Sequence, residues 1–190
     1  APRSLGGPIL VAVDDPDAAE GALHVADLVA RRDRVNAHLL GVAPPLALPT
    51  ALALPVDHET LDGARRQQLQ ARLRAVLSRT LGVAAYWSTE ALVGHPATTI
   101  ARVGRERASA LTVLGLPAST APQRTAREDA ALQIIRAASG PVLVVPPDTA
   151  HLPQHALVAM DFSPASRQAA RAALALLGAG GSLTVAHVQP

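Results

Sequence analysis

Short apolar runs alternate with longer amphipathic stretches along the chain, and their periods predict its elements. Residues 8–13, PILVAV, are continuously apolar and stop at Asp14, Asp15 and Pro16. A short run without alternation predicts a strand covered on both faces, as in a parallel sheet. Asp17 is placed to cap a helix in which Ala18, Ala22, Val25, Ala26 and Val29 recur at helical spacing up to Arg31 and Arg32. Val35 to Val42 predicts a second strand. Residues 43–57, APPLALPTALALPVD, are broken by Pro44, Pro45, Pro49 and Pro55 and predict a loop.

From His58 to about Thr80 the period returns to that of a helix, with Leu61, Leu69, Leu73, Val76 and Leu77 on one face and Gly82 just beyond. The other face carries Arg65, Arg66, Arg72 and Arg74, which read as a solvated charge run. Val83 to Leu92 predicts strand three. Gly94, His95 and Pro96 turn the chain into a helix through Ile100 and Val103 to Arg107, and Leu111 to Leu114 is strand four. A polar loop, GLPASTAPQRTARED, leads to a helix with Ala131, Ile134, Ile135 and Ala138 on one side. Ser139, Gly140 and Pro141 stop it before the last strand, Val142 to Val145. Strict alternation of five strands and four helices implies an α/β fold with a doubly wound, five-stranded parallel sheet. Right-handed crossovers put the strands in the order 3-2-1-4-5.

The pattern then restarts. Residues 156–161, ALVAMD, match residues 9–14, ILVAVD, at four of six positions, and Ala18, Ala22 and Ala26 return as Ala165, Ala169 and Ala173. Residues 1–147 therefore read as one domain, 148–154 as a linker and 155–190 as the start of a duplicate that stops after strand, helix, strand. Such a half-domain is expected to complete itself on a neighbouring chain or on further sequence. Strand five is an apolar edge, so association with a second copy through Val142, Leu143, Val144 and Val145 is expected.

Composition narrows the chemistry. All 17 basic side chains among the 190 residues are arginine, so a Walker A loop, a lysine Schiff base and a kinase site have no ammonium group to use. Aromatic residues are only 2% of the chain, too few for base-stacking platforms, and net charge is only +2, so no nucleic-acid role is expected. No cysteine is present, which removes thiol catalysis, iron–sulfur clusters and disulfides and fits the cytoplasm. No apolar run is long enough to insert in a membrane, and no signal-peptide pattern opens the chain.

The order of elements, with VAVDDPDAAEGAL, VGHPATTIARVGRERASALTVLG and ASGPVLVVP, resembles the universal stress protein family over residues 8–147, and VAMDFSPASRQAARAA resembles it again over 155–190. That resemblance implies a Rossmann-like sheet with a nucleotide site at the carboxyl ends of strands one, two and four. Adenosine would be held at the positions of Asp14 and Val42, and in the second copy at Asp161 and Val188. The family's triphosphate loop, G-x-x-G followed after nine residues by Gly and Ser or Thr, falls here on Gly115, Ala118, Glu128 and Asp129, of which only the first matches. Glu128 and Asp129 set two carboxylates where a phosphate would sit, and unit charges about 4 Å apart repel by on the order of 1–4 kcal/mol in a partly aqueous setting. Bridging Mg2+, or Arg124 and Arg127 in the same loop, would offset this. Three readings stay open here: a site for ATP or another adenine nucleotide, a site for another ligand, and an interaction module whose nucleotide site has decayed.

Other patterns are weaker. Asp14 and Asp15 resemble the acid pair of a receiver domain, but that chemistry also needs a lysine. His151 and His155 have ligand-like spacing, interrupted by Pro153. Ser163 and Ser166 read as helix caps, and Tyr86 and Trp87 as an amphipathic anchor on strand three. With no nucleophile beside a base, the sequence points to a regulator that acts by binding a ligand or a protein partner rather than an enzyme. It also allows a regulatory domain of a larger protein such as a transporter.

Overall fold

Strand β1, Ile9–Val13, is buried along its whole length and pairs in parallel with β2, Ala37–Ala43, on one side and β4, Leu111–Gly115, on the other. The computed structural model describes residues 4–13, 16, 19–46, 58–82, 87–115 and 126–187. β3, Trp87–Val93, continues the sheet beyond β2, and β5, Val142–Val145, lies beyond β4. The order is β3-β2-β1-β4-β5 with every pairing parallel, as expected for a doubly wound Rossmann-like sheet.

Side chains alternate across the sheet and feed two cores. Ile9, Val11, Leu39 and Val113 point to the layer of α1, Glu20–Asp33, and α2, His58–Leu81. Leu10, Ala12, Leu40, Val42 and Leu114 point to the layer of α3, Pro96–Glu106, and α4, Ala126–Ala137. Gly41 lets α2 press close: a Cβ there would sit 3.0 Å from Leu73 Cδ1 and 3.1 Å from Leu69 Cδ2. Gly21 plays the same part for α1, since a Cβ there would come within 2.7 Å of the Pro147 carbonyl oxygen and closer still to that of Pro146.

Several sequence expectations need correction. α1 starts at Glu20 with Ala19 at the N-cap, which makes no side-chain cap bond, and Asp17, expected to cap the helix, lies outside the described residues. Just before the helix the Ala19 N–H donates to the Pro16 carbonyl at 3.3 Å. Leu61 is exposed although Leu69, Leu73, Val76 and Leu77 are buried. It stands eight residues before Leu69, about 12 Å along the helix axis, where α2 overhangs the end of the sheet. Ile135 is likewise exposed while Ile134 carries the apolar contact of α4. Trp87 packs in the core on the α2 side instead of anchoring a surface, and Tyr86 lies outside the described residues.

After β5 the chain forms β6, His155–Ala159, α5, Pro164–Leu176, and β7, Ser182–Ala186, with β6 and β7 paired in parallel. Ser163 caps α5 through the Ser166 N–H at 3.1 Å. This unit was expected to rest on another chain or on further sequence, yet the end of α5 docks on the first sheet's own layer. Leu176 joins the α1/α2 core, and Arg32 donates to the Ala175 and Leu177 carbonyls at 2.6 and 3.3 Å. The last carbonyls of a helix lack intrahelical partners, and a cation suits that negative end. Arg32 is itself held by Asp33, whose carboxyl also accepts from the Leu5 N–H at 2.9 Å.

At the amino ends of β2 and β3, buried His38 bridges Ser88 at 2.7 Å and Glu90 at 3.1 Å, and Arg107 after α3 reaches Glu90 at 2.9 Å. A carboxylate only accepts, so Nε2 carries the proton toward Glu90 and Nδ1 accepts from the Ser88 hydroxyl; this tautomer is assigned from the partners. Burial, then the charge of Arg107, hold the imidazole below its ordinary range against the pull of Glu90. Burial pushes the Glu90 carboxyl up, but Arg107 and His38 together bring it below its ordinary range.

Two outcomes are expected. Gly21→Ala should lower stability by on the order of 1–3 kcal/mol in urea unfolding, because backbone oxygens cannot yield as a flexible side chain would; wild-type stability would contradict the close approach. With both pKa values depressed on folding, the unfolded chain binds more protons as pH falls, so stability should fall below about pH 6.5 for His38 and below about pH 4.3 for Glu90. His38→Gln should remove the loss that begins near the higher value, as read from unfolding midpoints across pH. Parallel profiles for the two proteins would contradict it.

Candidate functional site

In an open α/β sheet the crossovers leave the central strands in opposite directions, and a crevice opens beyond the carboxyl ends where they part. Here that place is the end of β1 with its neighbours β2 and β4. A cavity of about 450 Å³ lies there. Its floor is Ala12 and Val13 of β1, Val42 and Ala43 of β2, and Leu114 and Gly115 of β4. Pro96 and Ile100 of α3 with Ala130, Ala131 and Ile134 of α4 form one wall. Arg65, Gln68, Leu69 and Arg72 of α2 form the other, with Pro44 at its foot.

The volume and the apolar floor with a few polar groups at one side are those of a small-molecule site. The polar groups come from α2. Arg65 donates from Nη2 to the Pro44 carbonyl at 2.8 Å, while its Nη1 lies 3.5 Å from Asp62 Oδ1 and is shielded from solvent without a hydrogen-bond acceptor. Among the described residues no group of three His, Cys, Asp or Glu side chains is gathered to hold a metal ion.

The structure brings together two of the residues singled out from sequence, Val42 and Gly115, both in the cavity lining. Asp14, Ala118, Arg124 and Val188 lie outside the described residues; Asp14 directly follows Val13 in the sequence. Arg127 and Glu128 open α4, and their side chains also lie outside the described residues. Asp129 is exposed and is not part of the lining, so among the two carboxylates set against phosphate it does not face the cavity. Asp161 belongs to the β6 end of the other sheet. Its Oδ1 accepts from the Ser163 N–H at 3.0 Å, and hydrogen bonds from Ser166 and Ser163 hold its carboxyl well below the usual carboxylate range.

Of the arginines read as a solvated charge face, Arg66, Arg72 and Arg74 are exposed and Arg65 is half-buried, and Arg65 and Arg72 also border the cavity. Their seven-residue spacing puts them on one face with Leu69 between, and that was the available signal. Ala12, Gln68, Ile100, Ala131 and Ile134 also line the site and carried no sequence signal beyond their place in a strand or helix. No helix among the described residues is long and apolar enough to cross a membrane.

The universal stress protein family model matches residues 7–146. Among solved structures, the universal stress protein UspA from Lactobacillus plantarum is 28% identical over 76% of this chain and 99% of its own, with a TM-score of 0.56. A universal stress protein solved in complex with cAMP is 16% identical over 74% of this chain and 98% of its own, with a TM-score of 0.51. A putative universal stress protein from Pseudomonas aeruginosa is 20% identical over 78% of this chain but only 50% of its own, with a TM-score of 0.50. At those last two identities the likeness is one of fold. No curated protein matches the sequence. With the strand order, the crevice at the switch point and a family match over most of its length, the chain belongs to the universal stress protein family.

Proposed function

We propose that this chain is a stress-response regulator of the cytoplasm that works by binding an adenine nucleoside or nucleotide in the cavity above β1, β2 and β4, without catalysing a reaction. The observation that carries this reading is the cavity itself: about 450 Å³, apolar at the floor, at the switch point of a doubly wound sheet. Val42 and Gly115 would bound the adenosine, and Asp14, next after Val13, would accept from the ribose hydroxyls. The family fold is also that of a protein solved with cAMP, which supports a purine as the ring component.

Two further parts of the reading concern assembly. The repeat of ILVAVD as ALVAMD supports a domain over 1–147, a linker over 148–154 and the start of a second domain over 155–190. Among the described residues β5 pairs only with β4, and Val142, Leu143 and Val144 are half-buried, which supports a contact with another copy along that edge.

The test is equilibrium binding of adenosine to the wild type and to Ala131→Phe, which fills the cavity from α4. Wild type should bind, and the variant should lose at least about tenfold in affinity, or about 1.4 kcal/mol, with its unfolding midpoint kept. Absence of binding to the wild type, or equal affinity in the variant, would remove the proposal.

A further inference from the structure

At the amino ends of the strands, away from the cavity, a second cleft of about 520 Å³ is bordered by the first sheet and by α5. One wall forms where the chain enters β1, β4 and β5, at Ser4, Ser109 and Ser139, together with Gly104 and Arg105 at the end of α3. The other wall is a stripe of α5. Gln168, Arg171, Ala172 and Ala175 follow one another at steps of three and one, so they share a helix face. Serine, glycine and alanine side chains leave the space between the walls open.

The charge bordering this cleft is of one sign. Among the described lining residues the charged side chains are Arg105 on one wall and Arg171 on the other, both exposed. The sequence just before Ser4 is Ala, Pro and Arg, which adds no acid. Asp33, hydrogen-bonded to Ser4, is not in the lining; its side chain is buried against Arg32. Neither guanidinium has an ion pair or hydrogen bond among the described residues, and the Ser109 and Ser139 hydroxyls are likewise without a partner among them. A cation in the last turn of a helix ordinarily serves the helix's own terminal carbonyls. Here the N–H groups of Arg107, Ala108 and Ser109 already bond the carbonyls of Val103, Arg105 and Gly104 at 3.0, 3.0 and 2.9 Å, which leaves the Arg105 side chain without that task.

We propose that this cleft is a second ligand site, separate from the cavity above β1, β2 and β4, and that it takes a small dicarboxylate spanning Arg105 and Arg171. A single anion at either guanidinium would leave the other uncompensated. A short chain with a carboxylate at each end serves both, because the planar guanidinium fork matches carboxylate oxygens in pairs. The hydroxyls of Ser109 and Ser139 supply further donors, and Ala172 and Ala175 offer the methylene groups an apolar surface. One arginine stands on each unit, so the ligand also ties β6–α5–β7 to the first sheet, beside the contacts of Leu176 and Arg32. The inference does not depend on the nucleotide reading.

The experiment is NMR titration of the isotope-labelled full chain with glutarate, with pentanoate as the singly charged chain of equal length, and with inorganic phosphate. Glutarate should give saturable shifts on both walls, at the amides of Gly104, Ser109 and Gly140 and of Gln168 and Ala172. It should bind at least about tenfold tighter than pentanoate or phosphate, and added salt should reduce that margin. Arg105→Gln and Arg171→Gln should each bring glutarate down to the affinity of pentanoate with the unfolding midpoint kept. Arg105→Lys and Arg171→Lys should retain part of the margin, and they carry the test if a glutamine variant unfolds.

Shifts confined to one wall, or full glutarate affinity in either glutamine variant, would overturn the bridge between the two arginines. Phosphate or pentanoate binding as tightly as glutarate would overturn the dicarboxylate assignment. No saturable shift around the cleft with glutarate would remove the site itself.

Discussion

Everything in this fold is arranged around covering β1 on both faces. Its five residues are at most 6% exposed, and each fully buried branched side chain contributes about 1.5–3 kcal/mol relative to exposure. Burial on both faces requires a helical layer on each side, and pairing on both edges requires β2 and β4 as neighbours. Once those demands are met the crossovers must diverge at the end of β1. The cavity is the space they leave. Small residues keep it open: Ala12, Ala43, Gly115, Ala130 and Ala131 line it where larger side chains would fill it.

The strands were legible because a continuous apolar run such as ILVAV has no other comfortable place than between two layers. Boundaries were less so. The spacing of Ala18, Ala22 and Ala26 starts the first helix at Ala18, whereas α1 begins at Glu20 with Ala19 at the N-cap. Leu61 fits the apolar stripe of α2 by spacing alone, and only the overhang past the sheet exposes it. The same overhang explains the largest gap in the site. A helical wheel assigns Arg65 and Arg72 to solvent; Arg72 is exposed as that assignment expects, and what the wheel cannot show is that both also border a crevice. Val42 and Gly115 were readable because strand ends at a switch point are fixed by topology.

The β6–α5–β7 unit shows how a short segment with little core of its own is held. Its sheet has two strands, and Leu157, Phe162 and Val185 are exposed on it. What fixes it is the end of α5, where Leu176 enters the α1/α2 core and Arg32 takes two terminal carbonyls. Asp33 orients that arginine and is itself tied to the Leu5 backbone, so one short network joins the chain's opening residues, α1 and α5. The lesson for sequence reading is that a repeat reveals kinship between segments without revealing what each packs against.

A site built this way has a floor that cannot move without unpacking the sheet, and among the described residues the charged side chains that border it stand on α2. The most direct test of the account is where a nucleotide perturbs the molecule. In NMR titration of isotope-labelled protein with AMP, the account predicts shifts concentrated at the amides of Val13, Val42, Ala43, Gly115 and Ala131 and along α2 from Arg65 to Arg72. Shifts centred instead on the cleft at the other end of the sheet, around Gly104, Ser109 and Gln168, would contradict it.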